Sequence, residues 1–274
     1  MASGGSTDLP PFLQQREGEP ERLTDKAFWT SYWNDHSAPN SSTYILPYQE
    51  TLRKYLPKGG RLLEIGCAPG RALVTLHQLF GYDVTGLDFV EAHLTQSTLE
   101  EHHVPGRVIE ADFTTADLHE VFDVVASFGF VEHFRDFGAV VRRQASLVAE
   151  GGTLLIGVPN IRYGNRLLYQ LLAPALLPAH NPMAMDPRNL LRALSWKRQD
   201  WDVLFCDYVK TLPVYFDQTN PLVQNYPLRK AVVTVLRSIT EFLKISNIPN
   251  FFFSPYILLI AKRRRRIALS NDSE

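Results

Sequence analysis

Between Arg61 and Pro159 the chain alternates two kinds of apolar spacing. Short apolar runs read as strands buried in a sheet: Leu62-Leu63-Glu64-Ile65, Tyr82 to Asp88, Arg107 to Glu110, Phe122 to Ser127 and Thr153 to Val158. Between them the apolar positions recur at helical intervals. Ala72, Leu73, Leu76, Leu79 and Phe80 share one face, and Gly81 suits the cap that ends it. Glu91 to about His102 gives a second helix. Phe137, Val140, Val141, Ala145 and Val148 give a third, followed by a turn at Glu150-Gly151-Gly152. Strand and helix in alternation build βαβ units with right-handed crossovers. The predicted fold is therefore α/β, a doubly wound and mostly parallel sheet with helices on both faces.

Beyond Pro159 the pattern loosens. Ile161 to Leu177 has room for one helix. Asp186-Pro187 reads as a cap followed by proline at the first helical position, starting a helix to about Lys197. Trp201 to Tyr208 is strand-like. Pro227 opens an amphipathic helix to about Ile245 with the stripe Leu228, Val232, Val235, Leu236, Ile239, Phe242 and Leu243. Tyr256 to Ala261 is a last strand; Pro255 cannot donate to a ladder and marks its start. Residues 1–22, rich in Gly, Ser, Pro and Glu, read as a flexible tail, and 263–274 as a basic and polar one. The domain between divides into an aromatic helical segment (23–58), the core (59–160) and insertions on the acceptor side (161–250).

Composition narrows the class. Hydrophobic residues are 45% and charged residues 21% of 274, which suits a globular chain. The net charge of −1 gives no global attraction to nucleic acid, and no nucleic-acid partner is expected. Cys67 and Cys206 make neither a disulfide framework nor a four-ligand zinc knot, so no metal and a reducing cytoplasm are expected. The start has no signal-peptide pattern, and no apolar run is long enough for a membrane span. The 227–245 helix carries Arg229, Lys230, Arg237 and Lys244 opposite its stripe. It reads as a membrane-surface helix, a homodimer contact, an acceptor cap or plain packing against the sheet edge. The run Lys262 to Arg266 reads as a phosphate or RNA contact or as a solvated tail.

Chemistry concentrates where strands end. Gly66-Cys67-Ala68-Pro69-Gly70 joins the first strand to a helix, and glycines there let the backbone bend and a ligand approach closely. In a parallel sheet that loop lies at the carboxyl end, where ligands bind at the reversal of strand order. Asp88 closes the second strand about 20 residues on, the spacing at which an acid reaches a ribose diol. Phe89 is an apolar plate for a base, and Asp112, closing the third strand, could accept from an exocyclic amine.

Glu64-Ile65-Gly66-Cys67-Ala68-Pro69-Gly70 resembles the E/D-x-G-x-G-x-G motif of the class I S-adenosylmethionine (SAM)-dependent methyltransferases, with Ala68 in place of the middle glycine. The resemblance runs from about Arg61 to Pro159. From Pro159-Asn160 to Asp186-Pro187 the chain also looks like bacterial small-molecule methyltransferases. The resemblance implies a seven-stranded Rossmann-like sheet of order 3-2-1-4-5-7-6, with the last strand antiparallel. It implies SAM as cofactor, with Gly66, Ala68 and Gly70 lining its methionine part and Glu64 supporting the loop. It implies Asp88 on the ribose, and Asp112 with Phe113 flanking adenine. It puts Ser127 and Phe128 beside the methionyl group.

The acceptor is expected to be a small organic molecule, aromatic, aliphatic or lipid-like. An acceptor hydroxyl needs a base with a pKa near neutrality. His133, just after the fourth strand, is the first candidate, with Glu132 and His133 capping the next helix or bonding the backbone as the alternative. His180, in the insertion, is the second candidate. Trp29, Tyr32, Trp33 and Tyr44 form either a lid or an ordinary packed helix, with Tyr44 the preferred cofactor contact. O-methylation is the first reading. N-methylation, an NAD-dependent dehydrogenase and an inactive SAM-fold binding protein are the alternatives. Against the dehydrogenase, the loop lacks G-x-G-x-x-G spacing.

Overall fold

A computed structural model describes residues 21–36, 46, 48–194, 200–209, 227–242 and 248–265. Its helices are α1 (Lys26–His36), α2 (Gln49–Tyr55), α3 (Arg71–Phe80), α4 (Ala92–Glu101), α5 (Phe137–Ser146), α6 (Tyr163–Leu172), α7 (Pro187–Leu194) and α8 (Pro227–Phe242). Its strands are β1 (Arg61–Ile65), β2 (Asp83–Asp88), β3 (Gly106–Glu110), β4 (Phe122–Phe128), β5 (Val148–Pro159), β6 (Trp201–Val209) and β7 (Tyr256–Arg263). Short 3₁₀ turns cover Val131–His133 and Pro174–Ala179.

The strands form one sheet of order β3-β2-β1-β4-β5-β7-β6. The first five run parallel, and β7 is antiparallel to both β5 and β6. This is the predicted α/β architecture. Order reverses between β1 and β4, so a crevice opens beyond the carboxyl ends of these two strands. The period of two along β1 splits the core: Leu63 and Ile65 join a cluster with α5 and α7, and Leu62 joins one with α2 and α3.

Several boundaries move for physical reasons. The single helix expected over Ile161 to Leu177 is α6 followed by a 3₁₀ turn. Pro174 disfavours helical backbone in the residue before it, and Ala173 has φ −151° and ψ 59°. Glu150-Gly151-Gly152 does not end an element; it lies inside β5, which is 12 residues long. There the ladder with β4 slips, pairing Phe122 with Val148 and then Val124 with Thr153.

The stripe on α8 is not its packed face. Leu228, Val235 and Ile239 are exposed, whereas Val233, which the stripe omits, is buried. Residues at the inner edge of each expected tail are tied to the domain. The Glu21 carbonyl accepts from the Arg135 amide at 2.9 Å, and Arg22 bridges to Phe134. At the other end, Arg263 closes β7 and Arg264 pairs with Asp202 at 2.7 Å. Among the described residues, no helix is long and apolar enough to cross a membrane.

Candidate active site

A cavity of about 300 Å³ opens above the reversal of strand order. One wall is the loop from β1 to α3 with the tip of β2. Gly66 has φ +73°, and a Cβ there would lie 2.6 Å from the Phe130 ring, so only glycine fits. The Gly66 amide donates to the Leu87 carbonyl at 2.8 Å, which clamps the loop to β2. Gly70, at φ +93°, turns the chain into α3. Asp88 Oδ2 accepts from the Ala68 amide and Oδ1 from the Val90 amide, each at 3.0 Å. Burial pushes the Asp88 carboxyl up, against the downward pull of these amides and of Arg22. Glu64 is buried behind the loop, and burial with the nearby Asp88 pushes its carboxyl well above the ordinary range. Its Oε2 meets no hydrogen-bond donor.

The opposite wall comes from elements far apart in sequence. Trp29, Tyr32 and Trp33 of α1 line it, with Phe128, Phe130, Glu132, His133, His180 and Tyr256. The Trp29 ring stands edge-on to His133, with centroids 4.9 Å apart, and His133 lies 4.6 Å from His180. His133 Nδ1 bonds the Ala179 carbonyl at 2.7 Å, and His180 Nδ1 the Leu176 carbonyl at 2.6 Å. Burial, then the neighbouring His180, pushes the His133 pKa down to about 3, although the Ala179 and Gly129 carbonyls favour its proton. Burial also lowers His180. Glu132 is fully buried, and burial pushes its carboxyl up to about 8. Its own amide exerts a weak downward pull that falls short of a hydrogen bond, and neither carboxylate oxygen is satisfied.

A strap ahead of α1 crosses between the walls. The Leu23 amide donates to the His133 carbonyl at 2.8 Å. The Arg22 guanidinium lies 4.4 Å from the Phe89 ring centroid and 4.7 Å from that of Phe134, and pairs with Asp112.

Of the residues named from sequence, Glu64, Gly66, Ala68, Asp88, Phe89, Phe113, Phe128, His133 and His180 line one cavity. Gly70, Asp112 and Ser127 are not among the lining residues. Ser127, expected beside a methionyl group, is fully buried, and its hydroxyl donates to Gln144 Oε1 at 3.1 Å. Asp112 is engaged by Arg22 and by the amide and hydroxyl of Thr114 instead of standing free for an amine. Tyr44 lies outside the described residues. Asp136, not Glu132 or His133, caps α5 through the Ala139 amide, whereas His133 does bond the backbone, at the Ala179 carbonyl.

Sequence reasoning missed Arg22, Tyr256 and the character of Glu132. The strap, the five residues Glu21 to Asp25, has no periodicity to detect. Glu132 did leave a trace: an acid inside the apolar run Phe128 to Phe134 either ends the run or is buried in it.

The first wall suits SAM. Glu64 Oε2 lacks a partner of the kind that an amino-acid ammonium supplies. Asp88 keeps lone pairs for ribose hydroxyls beyond those its two amide bonds use.

Residues 42–204 match the family model described as a methyltransferase domain. A ubiquinone biosynthesis O-methyltransferase of Stutzerimonas stutzeri is 35% identical over 109 residues, 37% of this chain and 45% of that protein. A protein of the same name from Pseudomonas putida is 31% identical over 135 residues, 48% of this chain and 55% of its own. The matches thus span about half the length of these relatives. Among solved structures, a SAM-dependent methyltransferase from Thiobacillus denitrificans with S-adenosylhomocysteine has TM-score 0.54 and 19% identity, covering 85% of this chain and 98% of that one. A mycolic acid cyclopropane synthase with the same product has TM-score 0.55 and 16% identity, covering 85% and 94%. Matched over more than half its length by this family's model and carrying the sheet order and glycine loop described above, the chain belongs to the methyltransferase-domain family and is a class I SAM-dependent methyltransferase.

Proposed function

We propose that this chain methylates a hydroxyl group on a small, largely apolar acceptor, taken into the aromatic half of the cavity. The observation that carries the reading is the continuity of one cavity from Asp88 and Phe89 to Glu132, His133 and His180. The first set suits a nucleoside; the second is a buried group of proton acceptors among aromatic rings. The relatives named as O-methyltransferases support hydroxyl over amine. The two unpaired thiols, Cys67 and Cys206, suit a reducing cytoplasm.

In this reading Gly66, Ala68 and Glu64 hold the amino-acid end of the cofactor, Asp88 the ribose, and Phe89 with Phe113 the adenine. Bound there, SAM supplies an electrophilic methyl on a sulfonium. Trp29, Tyr32, Trp33, Phe128 and Tyr256 exclude water and orient the acceptor, and orientation accounts for much of the acceleration in such reactions. The hydroxyl proton passes to the cluster, with His133 the group at hand. The acceptor oxygen forms its bond to the methyl carbon as the carbon–sulfur bond breaks, and that electron pair returns to sulfur.

Labelled SAM offered with a panel of phenols, catechols, aliphatic alcohols and amines tests this directly. Label is expected on oxygen. His133→Ala should lower turnover about 100-fold or more while leaving S-adenosylhomocysteine affinity nearly unchanged. Label appearing only on the amines would overturn the O-methylation reading.

A further inference from the structure

The Glu132 carboxylate poses a problem that the fold does not solve. It is fully buried, and among the described residues neither oxygen meets a donor. A buried charge without a partner is strongly unfavourable, so such groups are paired, protonated or bound to a cation. No lysine or arginine is ion-paired with it among the described residues. A proton shared with His133 does not fit the geometry: Glu132 Oε1 and His133 Nε2 are 3.8 Å apart, beyond hydrogen-bond range.

The two histidines point to the same answer. Each Nδ1 lies against a backbone carbonyl, Ala179 for His133 and Leu176 for His180. A carbonyl only accepts, so each Nδ1 carries the ring's proton and each Nε2 is the ring atom left to bind a cation; at His133 the Gly129 carbonyl also lies near the ring. That backbone anchoring is the outer-sphere arrangement that fixes histidines as metal ligands. One ligating atom from each of Glu132, His133 and His180 lies within 4.8 Å of the other two. Tetrahedral ligands about 2.0–2.1 Å from zinc stand roughly 3.3 Å apart. The pair at 3.8 Å needs to close by about 0.5 Å, and a pair at the 4.8 Å limit by about 1.5 Å.

We propose that Glu132, His133 and His180 form a binding site for one divalent cation of the zinc class, with a coordination position open to the cavity. Two imidazoles and a carboxylate are a donor set that zinc takes when a fourth position is kept for water or substrate. The catalytic consequence rests on the O-methylation reading and replaces its proton step: with the metal bound, a hydroxyl in the open position becomes more acidic and releases its proton to water, and His133 acts as a ligand in place of a base.

The test uses the full-length protein, stripped with a chelator and dialysed. Titration with Zn²⁺ is expected to show one tight site. Co²⁺ should give the intense visible d–d bands of a low-symmetry four-coordinate centre with histidine ligands. Glu132→Gln and His180→Ala should each weaken Zn²⁺ binding at least about tenfold. Glu132→Gln keeps the side chain's shape, so its circular dichroism should match the parent, and its metal-free form should melt higher because a buried carboxylate is gone. The inference is overturned if the parent binds no Zn²⁺, or if both variants bind it as the parent does. Methyl transfer to hydroxyls without metal binding would sink this inference and leave the O-methyltransferase reading standing. Metal binding without hydroxyl methylation would do the reverse.

Discussion

Asp88 and Glu132 are both buried acids on the wall of one cavity, and the fold treats them oppositely. Each Asp88 oxygen accepts a backbone amide, from Ala68 and from Val90. Among the described residues, neither Glu132 oxygen has a hydrogen-bond partner. The difference follows from how each wall is made. The wall around Asp88, proposed for the cofactor, is a strand tip and its adjoining loops, so backbone amides are within reach. The acceptor wall joins the turn after β4 to the insertion after α6 and to the strap before α1, with side chains converging from separate segments. Such a wall brings rings and charges together without surplus amides to satisfy them. What remains unsatisfied there is available to a ligand.

The largest expected effect cuts the satisfied wall. Asp88→Ala removes the proposed ribose acceptor and releases the loop amide of Ala68. S-adenosylhomocysteine affinity by calorimetry should fall at least about 100-fold, the loss of two hydrogen bonds to a charged group. The matched cut in the other wall, His180→Ala, should change that affinity by no more than about twofold, as expected for sites that share no partner. Equal losses from both cuts would show that the two walls act as one and that the contrast drawn here is wrong.

The same division explains what could be read from the sequence. Gly66, Ala68, Asp88 and Phe89 sit at fixed offsets from strands that apolar runs announce, so this wall of the cavity is legible in the sequence. The sheet order came from the family resemblance, and periodicity alone did not supply it. His133 and His180 were named singly, as candidate bases. Their convergence with Glu132 depends on where the 3₁₀ turn at Pro174–Ala179 returns the chain, which no local pattern encodes. Arg22 was lost to the tail because composition averages over windows longer than the strap. The stripe on α8 misled because amphipathicity reports a preference for burial without saying which neighbour is present.

A smaller effect tests the strap that joins the walls. Arg22 stacks on Phe89, the plate proposed for adenine, and holds Asp112. Adenine can lie on that face of Phe89 only after the guanidinium leaves it. Arg22→Ala should therefore tighten S-adenosylhomocysteine binding about fivefold, the magnitude of one partly desolvated cation–π contact. The strap's backbone bonds to His133 and Arg135 survive this change. Weaker binding would show that Arg22 clamps the base from above and does not compete with it.

The smallest expected effect concerns what holds the acceptor wall to the sheet. Arg162, just past β5, donates to Asp186 Oδ2 at 2.9 Å, and the Arg188 amide donates to Oδ1 at 2.9 Å. Burial alone would push the Asp186 carboxyl up, but the bonds and charges of Arg162 and Arg188 outweigh it and hold it below the ordinary range. A carboxyl that binds its proton less readily folded than unfolded adds stability above its unfolded pKa, about 3.9. That stability is lost as pH falls through the folded value. Solvent screening at this partly open pair limits it to about 1 kcal/mol. Asp186→Asn should lower the melting temperature slightly at neutral pH and flatten the acid limb of the stability curve. Cofactor affinity should stay as it is, because the ion pair serves the insertion and not the glycine loop. Parent and variant curves that remain parallel into acid would show that Asp186 titrates alike folded and unfolded, and that apolar contacts alone anchor the acceptor wall.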